Sequence, residues 1–566
     1  MSEQTHLLRS RRFLPLFVTQ FLGAFNDNVI KNALVVLLTF QAAGWTTLKP
    51  EVLANLAAGI FILPFFLFSA TAGQLADKFD KARLARIAKL LEIGIVLIAG
   101  VGFLLHELSV LLVALFLLGL QSTLFGPVKY AILPQHLKDS ELVGGNALIE
   151  AGTFVAILLG TLGGGLLAGT GGATIFITLA GLVVAVAGYV ASRGIPVAPA
   201  PAPTLRIDPN PFSATWQNFR FAREQRSVFL SILGISWFWL YGALLLAQFP
   251  AYTKNVLGGG ETAVTLLLGV FTFGIGAGSL LCERLSGGRV ELGIVPLGSI
   301  GLTLFGLDLA FASPATPGGE ALGALALLAQ PGSWRILADL ILIGIFGGFF
   351  IVPLYALVQQ RSADEHRARI IAANNILNAL FMVVGALAAA LLLARGLSIP
   401  ALFATAALCN AAVAAFIYGL VPEFLVRFVV WLSIHGLYRL RAEGLQHLPE
   451  TGPALLVCER MTATDALLLV AVSRRPIRFV LPRSTVRGFP TGFVFDRTKT
   501  IYHDDMNPTT ATFETIRSAL AAGALVATLG DCGVDAGDAP TLKITMEGRQ
   551  AWFGRVALTI EMAGTA

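Results

Sequence analysis

The sequence predicts an all-α membrane protein with twelve transmembrane helices, followed by a small α/β domain at the C-terminal end. The first observation is composition: of 566 residues, 55% are hydrophobic and 13% are charged, and the mean hydropathy is +0.76. Soluble domains carry about 25% charged residues. The second observation is a series of apolar blocks long enough to cross a bilayer, and the third is a rise in charged residues after residue 440.

The same composition excludes several classes of protein. So few charged residues cannot cover a soluble particle of this size, and disorder needs low hydrophobicity together with high net charge. The formal net charge of +6 is explained by the loops described below, so we predict no nucleic-acid partner. The cysteines form no CxxC pair, and we expect no disulfide framework, no metal site and no cofactor. They are Cys282, Cys409, Cys458 and Cys532.

About 20 predominantly apolar residues span a bilayer core, and the blocks of this kind divide into two sets of six. The first six cover residues 13–41, 53–75, 87–106, 109–133, 146–170 and 172–192. The second six cover residues 228–252, 263–283, 291–313, 334–358, 370–394 and 399–420. The segment 196–212 between the sets is rich in proline, which favours an extended spacer. We therefore predict a first half at 1–195, a cytoplasmic linker at 196–226 and a second half at 227–420.

Basic residues are concentrated in alternate connections between the blocks. With the N-terminus inside, the inner connections contain Arg9, Arg11, Arg12, Lys78, Lys81, Arg83, Arg86, Lys89, Lys138, Arg193, Arg220, Arg223, Arg226, Arg284, Arg289, Arg361, Arg367 and Arg369. The outer connections contain Lys49, Lys254, Arg335 and Arg395. Because short cytoplasmic loops carry an excess of Lys and Arg, we predict that both termini are cytoplasmic. The first span has no small-residue cleavage site, so no removable signal peptide is expected.

Two segments of the chain form an internal repeat. FGPVKYAILPQ contains Tyr130 and parallels FIVPLYALVQQ, which contains Tyr355. In the same register, Asn146 corresponds to Asn374 after an insertion of three residues. Parallel repeats about an axis along the membrane normal are typical of the two halves of a major facilitator transporter. The repeat predicts the major facilitator fold; the alternative, that any two apolar helices look alike, stays open.

The loop after the second block, GQLADKFDKAR, resembles the loop signature of the major facilitator superfamily. Its residues Gly73, Asp77, Lys78 and Arg83 are the ones that match, and the resemblance implies a gating role for them. Glycine permits close approach of helices, and Asp77 is placed to cap a helix or to form an ion pair across the bundle. The counterpart in the second half has Cys282 where Asp77 would align, so we expect the first half to make the main contact.

The first block contains polar residues that are unusual at membrane depth. Asp27 and Lys31 are four residues apart, share one helix face and are able to pair; Asn28 lies between them. Lys129 in the fourth block and Glu150 in the fifth need the same explanation. Ionisable groups at this depth usually face a water-filled pathway. The alternatives are a self-satisfied pair that locks the bundle and a Lys129 side chain that snorkels to the interface.

The second half offers mainly amides to such a pathway. Asn374 and Asn378 are the candidates, and the only acids in its spans that come into question are Asp308 and Asp339. The predicted cavity is therefore ionic on one side and mostly apolar on the other. This arrangement suits an amphiphile with its polar head on the first half and its acyl tail along the second.

Three segments, FLGAFNDN, FGPVKYAILP and NALIEAGT, resemble the lysophospholipid transporter family of the major facilitators, and the resemblance covers roughly residues 12–420. It implies a flippase that moves lyso-glycerophospholipids, such as lyso-phosphatidylethanolamine, across the bacterial inner membrane by alternating access. The residues that it places along the headgroup path are Asp27, Asn28, Lys129 and Glu150. We add Lys31 from helix geometry. Lysine suits a phosphate, and Asp27 suits the ethanolamine ammonium.

The C-terminal part changes character. We predict an amphipathic helix in the membrane interface at 421–440, with a thirteenth span as the alternative. Residues 441–566 resemble a truncated, degenerate glycerolipid acyltransferase. Such enzymes use a histidine base with an aspartate five residues later. Here Asp465 is present, but Arg460 stands at the histidine position, and arginine cannot accept a proton in proteins.

Two later sequence blocks match the acyltransferase pattern to different degrees. Arg497 in GFVFDR is retained and would contact a substrate phosphate. The third block normally reads Phe-Pro-Glu-Gly, and here it contains Asp531 in an altered context. We therefore predict a tail without catalytic activity, with Asp465 and Asp531 as relics. A role in binding a glycerolipid phosphate and a role as a structural cap both stay open.

Three functions remain open from the sequence. The leading hypothesis is a lysophospholipid transporter, which binds lysophospholipid and membrane lipids. The second is a transporter fused to an active lysophospholipid acyltransferase, and the third is an exporter of drugs or small solutes. The first hypothesis implies acyltransferase or ligase enzymes as protein partners, and we expect a monomer.

Overall fold

A computed structural model of the protein divides into two compact units, Met1–Ile417 and Tyr418–Ala566. In the first unit the structure describes residues 3–41, 50–170, 172–287, 290–314 and 322–417. In the second it describes 418–420, 425–430, 432, 438–449, 452–459, 462–473, 477–482, 484, 495, 500–503, 509–530, 539–548 and 554–562.

The first unit is a bundle of long helices joined by short connections. Its first half consists of α1 (Glu3–Leu7), α2 (Leu14–Gln41), α3 (Pro50–Lys78), α4 (Lys81–Leu105), α5 (Leu108–Ala131), α6 (Leu133–His136), α7 (Leu142–Ala168) and α8 (Ala173–Arg193). A linker helix follows, α9 (Pro211–Glu224). The second half consists of α10 (Arg226–Asn255), α11 (Glu261–Ser286), α12 (Ile294–Ala312), α13 (Ala324–Ala329), α14 (Pro331–Arg361), α15 (Arg367–Ala394) and α16 (Ile399–Leu420).

Eleven helices among the described residues are long and apolar enough to cross a membrane. The protein is therefore a multi-pass membrane protein. Helix α2 is not one of the eleven. Its role as a twelfth span stays a prediction.

The predicted boundaries fail most clearly at the third block. Helix α4 begins at Lys81, six residues before the predicted start at 87. Lys89, which we counted among the loop charges, therefore lies two turns inside the helix, where it is fully buried. The linker also differs from a plain extended spacer, since its second part forms α9.

Close helix contacts in the first half depend on residues without a side chain. Helix α7 packs on α2, and a Cβ atom added to Gly160 would lie 2.4 Å from the carbonyl oxygen of Phe25. Without a hydrophobic driving force between helices in lipid, association depends on van der Waals packing and on such small residues. The glycine therefore fixes the approach of the helix that carries Glu150 to the helix that carries Asp27.

The second unit contains a seven-stranded sheet. Its strands are β1 (Tyr438–Glu443), β2 (Ala454–Cys458), β3 (Ile477–Pro482), β4 (Ile501–His503), β5 (Leu525–Leu529), β6 (Thr541–Gly548) and β7 (Gly554–Met562). The order is β1-β7-β6-β2-β5-β3-β4, and all neighbours are parallel except β6 and β7. Helices α17 (Ala463–Val472) and α18 (Thr510–Ala521) connect strands. The central parallel strands β2, β3 and β5 are mostly buried apolar runs, as expected where both faces of a sheet are covered.

The segment 421–440 does not form one interfacial helix. Among its described residues, 425–430 are helical and a strand has begun at Tyr438. Val426 and Val430 are buried in the apolar core of the sheet domain. Arg427 donates hydrogen bonds to the carbonyl oxygens at the end of α17. The two valines therefore pack into the tail itself, and an interfacial position of the segment stays a prediction.

Candidate functional site

Asp77, at the end of α3, joins the first half to the second. Its carboxylate is fully buried and accepts hydrogen bonds from the backbone N–H groups of Ala368, at 3.1 Å, and Arg369, at 3.3 Å. The Nε atom of Arg369 donates to the same carboxylate at 3.0 Å. These N–H groups open α15 and have no partners within that helix, so the acid satisfies them and also meets the positive end of the helix dipole.

Gly73, one turn before Asp77, lets the two helices meet. A Cβ atom at this position would lie 2.7 Å from Cβ of Ala372 and 2.9 Å from Cα of Arg369. Of the four predicted gating residues, the structure thus brings Gly73 and Asp77 to the second half.

The other two predicted gating residues lie elsewhere. Lys78 lies 5.8 Å from the ring centre of Phe79, and Arg83 has an exposed side chain. In the second half, Cys282 is buried at the position of Asp77. Arg369, the basic partner of Asp77, is not among the predicted site residues. Its position in the first turn of a helix, directly after a charged loop, was the available signal.

Tyr130 and Tyr355, which the repeat pairs in sequence, are stacked on each other across the two halves. Their ring centres are 4.4 Å apart and the rings are 7° from parallel. The hydroxyl of Tyr130 donates to Glu150 at 2.5 Å, and the indole N–H of Trp239 donates to the hydroxyl of Tyr355 at 3.1 Å. Trp239 also stacks on Phe154, with ring centres 5.8 Å apart. We call Tyr130, Tyr355, Phe154 and Trp239 the aromatic floor.

An amide pair adds a second polar link between the halves. Asn146 and Gln359 exchange two hydrogen bonds, of 2.7 and 2.9 Å, and both side chains are fully buried. Asn374, the sequence counterpart of Asn146, is buried in α15. Asn378, one turn further on, accepts a hydrogen bond from the hydroxyl of Ser236 at 2.8 Å.

The predicted pair of Asp27 and Lys31 does not form an ion pair. Asp27 accepts a hydrogen bond of 2.5 Å from the hydroxyl of Ser122. Lys31 donates to the side-chain oxygen of Asn28 at 3.1 Å and lies 5.3 Å from the ring centre of Phe61. Both ionic groups are half-buried and held by neutral partners. Each therefore keeps charge that a bound ligand could complement.

Lys129 is the most available cation of the predicted site. Its side chain is half-buried, its Nζ atom lies 4.7 Å from the ring centre of Tyr130, and it forms no ion pair with any described residue. Glu150 is fully buried, and one of its carboxylate oxygens has no hydrogen-bond partner. The structure thus brings both groups to one tyrosine, with Lys129 over its ring and Glu150 at its hydroxyl.

A buried ion pair lies beside this group. Lys89 and Glu92 are both on α4 and are 2.5 Å apart. Glu92 also accepts hydrogen bonds from Asn26, at 2.8 Å, and Gln121, at 3.4 Å. A buried pair needs such additional bonds to offset desolvation. Glu92 is not among the predicted residues, although an acid within an apolar block was the signal that selected Glu150.

The predicted acids of the second half, Asp308 and Asp339, form no ion pair with the charged residues of the first half among the described residues. Asp308 accepts a hydrogen bond of 3.0 Å from Nε of Arg335, and both side chains are substantially exposed. Asp339 lies next to this pair. Asp308 is therefore paired with an arginine of its own half.

In the tail, Asp465 acts as a helix-capping residue. Its carboxylate accepts hydrogen bonds from the backbone N–H and the hydroxyl of Thr462, both at 2.8 Å, and the Thr462 hydroxyl accepts from the Asp465 N–H. This reciprocal arrangement is a capping box at the start of α17. The carboxylate therefore has a structural partner. The predicted residues Arg460, Arg497 and Asp531 lie outside the described residues.

Residues 16–329, more than half of the chain, match the family model of the Major Facilitator Superfamily. The lysophospholipid transporter LplT of Klebsiella pneumoniae is 30% identical over 379 residues, covering 64% of this chain and 84% of that protein. LplT of Serratia proteamaculans is 29% identical over 362 residues, covering 63% and 82%. LplT of Escherichia coli O157:H7 is 30% identical over 376 residues, covering 64% and 84%. The acyltransferase resemblance of residues 441–566 stays a prediction.

Solved structures show the same fold. The transporter FucP in its outward conformation aligns with a TM-score of 0.56 at 12% identity, covering 72% of this chain and 99% of that one. The human organic anion transporter MFSD10 aligns with a TM-score of 0.56 at 14% identity, covering 71% and 99%. At such identity the likeness concerns the fold alone.

Proposed function

We propose that this chain, which belongs to the major facilitator superfamily, moves lysophospholipids such as lyso-phosphatidylethanolamine across the bacterial inner membrane by alternating access. The observation that carries the proposal is the set of half-buried ionic side chains Asp27, Lys31 and Lys129, none of which forms an ion pair with another described residue. Charges at membrane depth normally pair with protein groups or mark a substrate path. The relatives named lysophospholipid transporter support the choice of substrate.

A zwitterionic headgroup would complement these charges. A lysine ammonium is a compact point charge that suits a phosphate, so Lys129 and Lys31 are the proposed phosphate contacts. Asp27 is the proposed contact for an ammonium, and Asn28 orients Lys31 through its hydrogen bond. Glu150 holds the Tyr130 hydroxyl and so positions the aromatic floor beneath the headgroup.

The acyl chain is proposed to lie along the second half. Helix α10 brings Trp239 to the aromatic floor, where it packs on Phe154. Asn378 of α15, a predicted polar contact on this side, already accepts a hydrogen bond from Ser236. Asp308, one of the two candidate acids of the second half, is already paired with Arg335 and does not require a charged ligand group on this side.

Alternating access requires contacts that close one end and break in the other state. The Asp77 contact, the Asn146–Gln359 pair and the aromatic floor are the proposed gate. They lie at the end where the basic connections predict the cytoplasm. The described arrangement then corresponds to a state that receives lipid from the outer leaflet.

The test is transport by the full-length protein in proteoliposomes. Fluorescent lyso-phosphatidylethanolamine is added outside, and the fraction protected from extraction by albumin is followed with time. Lys129→Met should lower the initial rate about tenfold or more, because a hydrogen bond to a charged group contributes about 1.5–3 kcal/mol. The control is Lys138→Met, which removes an exposed lysine nine residues further on.

Two results would contradict the proposal. One is a wild-type rate equal to that of empty liposomes. The other is an equal effect of the two lysine variants. Competition by hydrophobic cations, without any competition by lyso-lipid, would instead favour an exporter of drugs or small solutes.

We further propose that the tail has no acyltransferase activity. Full-length protein incubated with lyso-lipid and an acyl donor should yield no diacyl product. If product appears, Asp465→Asn and Thr462→Ala separate the two roles of the capping box. Both variants weaken the cap, but only the first removes the carboxylate, so loss of product in Asp465→Asn alone would establish catalysis.

A further inference from the structure

The linker between the halves contains a helix whose two faces differ. Helix α9 begins where the side chain of Asn210 accepts hydrogen bonds from the backbone N–H groups of Phe212, at 3.0 Å, and Ser213, at 3.4 Å. Asparagine is a favoured N-cap residue, and proline, here Pro211, is favoured at the first helical position. The proline-rich spacer thus ends in a helix with a defined start.

One face of α9 is buried against both halves. Ala214, Asn218 and Ala222 follow each other at intervals of four residues, and each is at most 1% exposed. Ala214 packs in one cluster with Ala70 of α3 and Ile376 of α15. The helix therefore covers the place where the two halves meet.

The same side of α9 touches the partner of Asp77. The ring of Phe221 stacks on His366, with ring centres 4.0 Å apart. The guanidinium carbon of Arg369 lies 4.7 Å from the centre of the Phe221 ring. Arg369 in turn donates to Asp77, so α9 is one contact away from the proposed gate.

The opposite face of α9 is aromatic and basic. Phe212 is 82% exposed and Trp216 is 66% exposed. Arg220 and Arg223 follow at spacings of four and three residues, which places all four on one stripe, and both are exposed. The guanidinium carbon of Arg223 lies 5.9 Å from the ring centre of Trp216.

We propose that this stripe of Phe212, Trp216, Arg220 and Arg223 lies on the anionic headgroup layer of the membrane. Tryptophan and phenylalanine beside arginine are the composition of helices that lie in the interface, and each arginine near an anionic surface strengthens its binding about five-fold. Four arginines stand against two acids in this region. They are Arg206, Arg220, Arg223 and Arg226, with Asp208 and Glu224.

The position of α9 in the chain favours lipid over other occupants. Glu224 ends α9, and Arg226 begins α10, which is apolar and long enough to cross the membrane. Two Cα–Cα steps cover at most about 8 Å. The end of α9 therefore lies at the level where a membrane helix starts. The helix then carries the lipid surface on one face and the gate on the other.

The test measures depth directly, with spin labels on Phe212→Cys and Trp216→Cys. The background is full-length protein with its native cysteines replaced by alanine, in nanodiscs of phosphatidylcholine with or without phosphatidylglycerol. Oxygen partitions into lipid, whereas a nickel chelate stays in water. The oxygen-to-nickel accessibility ratio should be several-fold higher at both labels than at Gln217→Cys, an exposed control on the flank of the same helix. Phosphatidylglycerol should raise the ratio, and Arg220→Gln with Arg223→Gln should abolish that rise.

Two outcomes would overturn the proposal. High nickel accessibility at both labels would place the stripe in water. Low accessibility to both reagents would mean that protein covers it. Because the measurement does not use transport, its failure is distinguishable from failure of the proposed transport function.

Discussion

Replacing Asp77 by asparagine should shift the protein towards a state in which the halves separate at this end. The carboxylate accepts three hydrogen bonds from the start of α15, one from Ala368 and two from Arg369. Asparagine keeps one acceptor oxygen but loses the charge and the second acceptor. A helix cap contributes about 1 kcal/mol, and a hydrogen bond to a charged group contributes about 1.5–3 kcal/mol.

The closed arrangement should therefore lose about 2–3 kcal/mol in the Asp77→Asn variant. At about 1.4 kcal/mol for each factor of ten, this corresponds to a shift of about 30- to 150-fold in the equilibrium between closed and separated halves. The measurement is the distance distribution between spin labels on Lys138→Cys and Ala363→Cys. Both positions are exposed, and they lie on different halves at this end of the bundle.

Asp80→Asn is a matched control for this change. Asp80 also accepts two backbone hydrogen bonds, from Arg83 at 2.7 Å and from Ala198 at 2.8 Å. These bonds join the first half only to itself and to the linker. A longer distance population in Asp77→Asn, absent from Asp80→Asn, is the expected result. Equal distributions in the two variants would refute the assignment of Asp77 to the gate.

Three further predictions concern packing and burial. Gly73→Ala should populate the same separated state, because the new Cβ atom would lie 2.7 Å from the Cβ atom of Ala372. The control is Gly59→Ala, which has open space around the new Cβ atom and should give the wild-type distance distribution. Glu92→Gln should destabilise the protein by about 3–5 kcal/mol, because it leaves Lys89 buried and unpaired. Thermal unfolding in detergent measures the loss of stability, and the double variant Lys89→Met with Glu92→Leu should recover much of it. Burial raises the pKa of the Cys458 thiol to about 12, so at pH 8 only about one thiol in ten thousand is a thiolate, and mass spectrometry should show alkylation of Cys458 only after the tail unfolds.

The sequence predicts the fold well because the fold depends on long-range composition. Apolar blocks of bilayer length, and a repeat that places Tyr130 against Tyr355, are both properties of many residues together. Boundaries are harder, because a membrane helix continues beyond its apolar block into charged residues. Lys81 belongs to α4 for this reason. A count of basic residues also cannot distinguish a buried lysine, such as Lys89, from one in a loop.

The site is predicted less completely because its partners come from other helices. The spacing of Asp27 and Lys31 correctly places them on one helix, but it cannot reveal that Ser122, on α5, supplies a better partner for the acid. Likewise, a family motif selects Asp465, whereas the local sequence Thr-x-x-Asp already contains the capping box that occupies it.

Arg369 connects the two proposals made for this protein. It donates to Asp77, to the carbonyl oxygen of Glu365 and to His366, and it lies over the ring of Phe221. Any separation of the halves at Asp77 must therefore either strip Arg369 from the ring or carry α9 along with α15. In the first case the lipid-facing stripe stays in place while the gate opens. In the second case opening must move aromatic side chains through the headgroup layer, so the lipid surface itself would set part of the cost of the transport cycle.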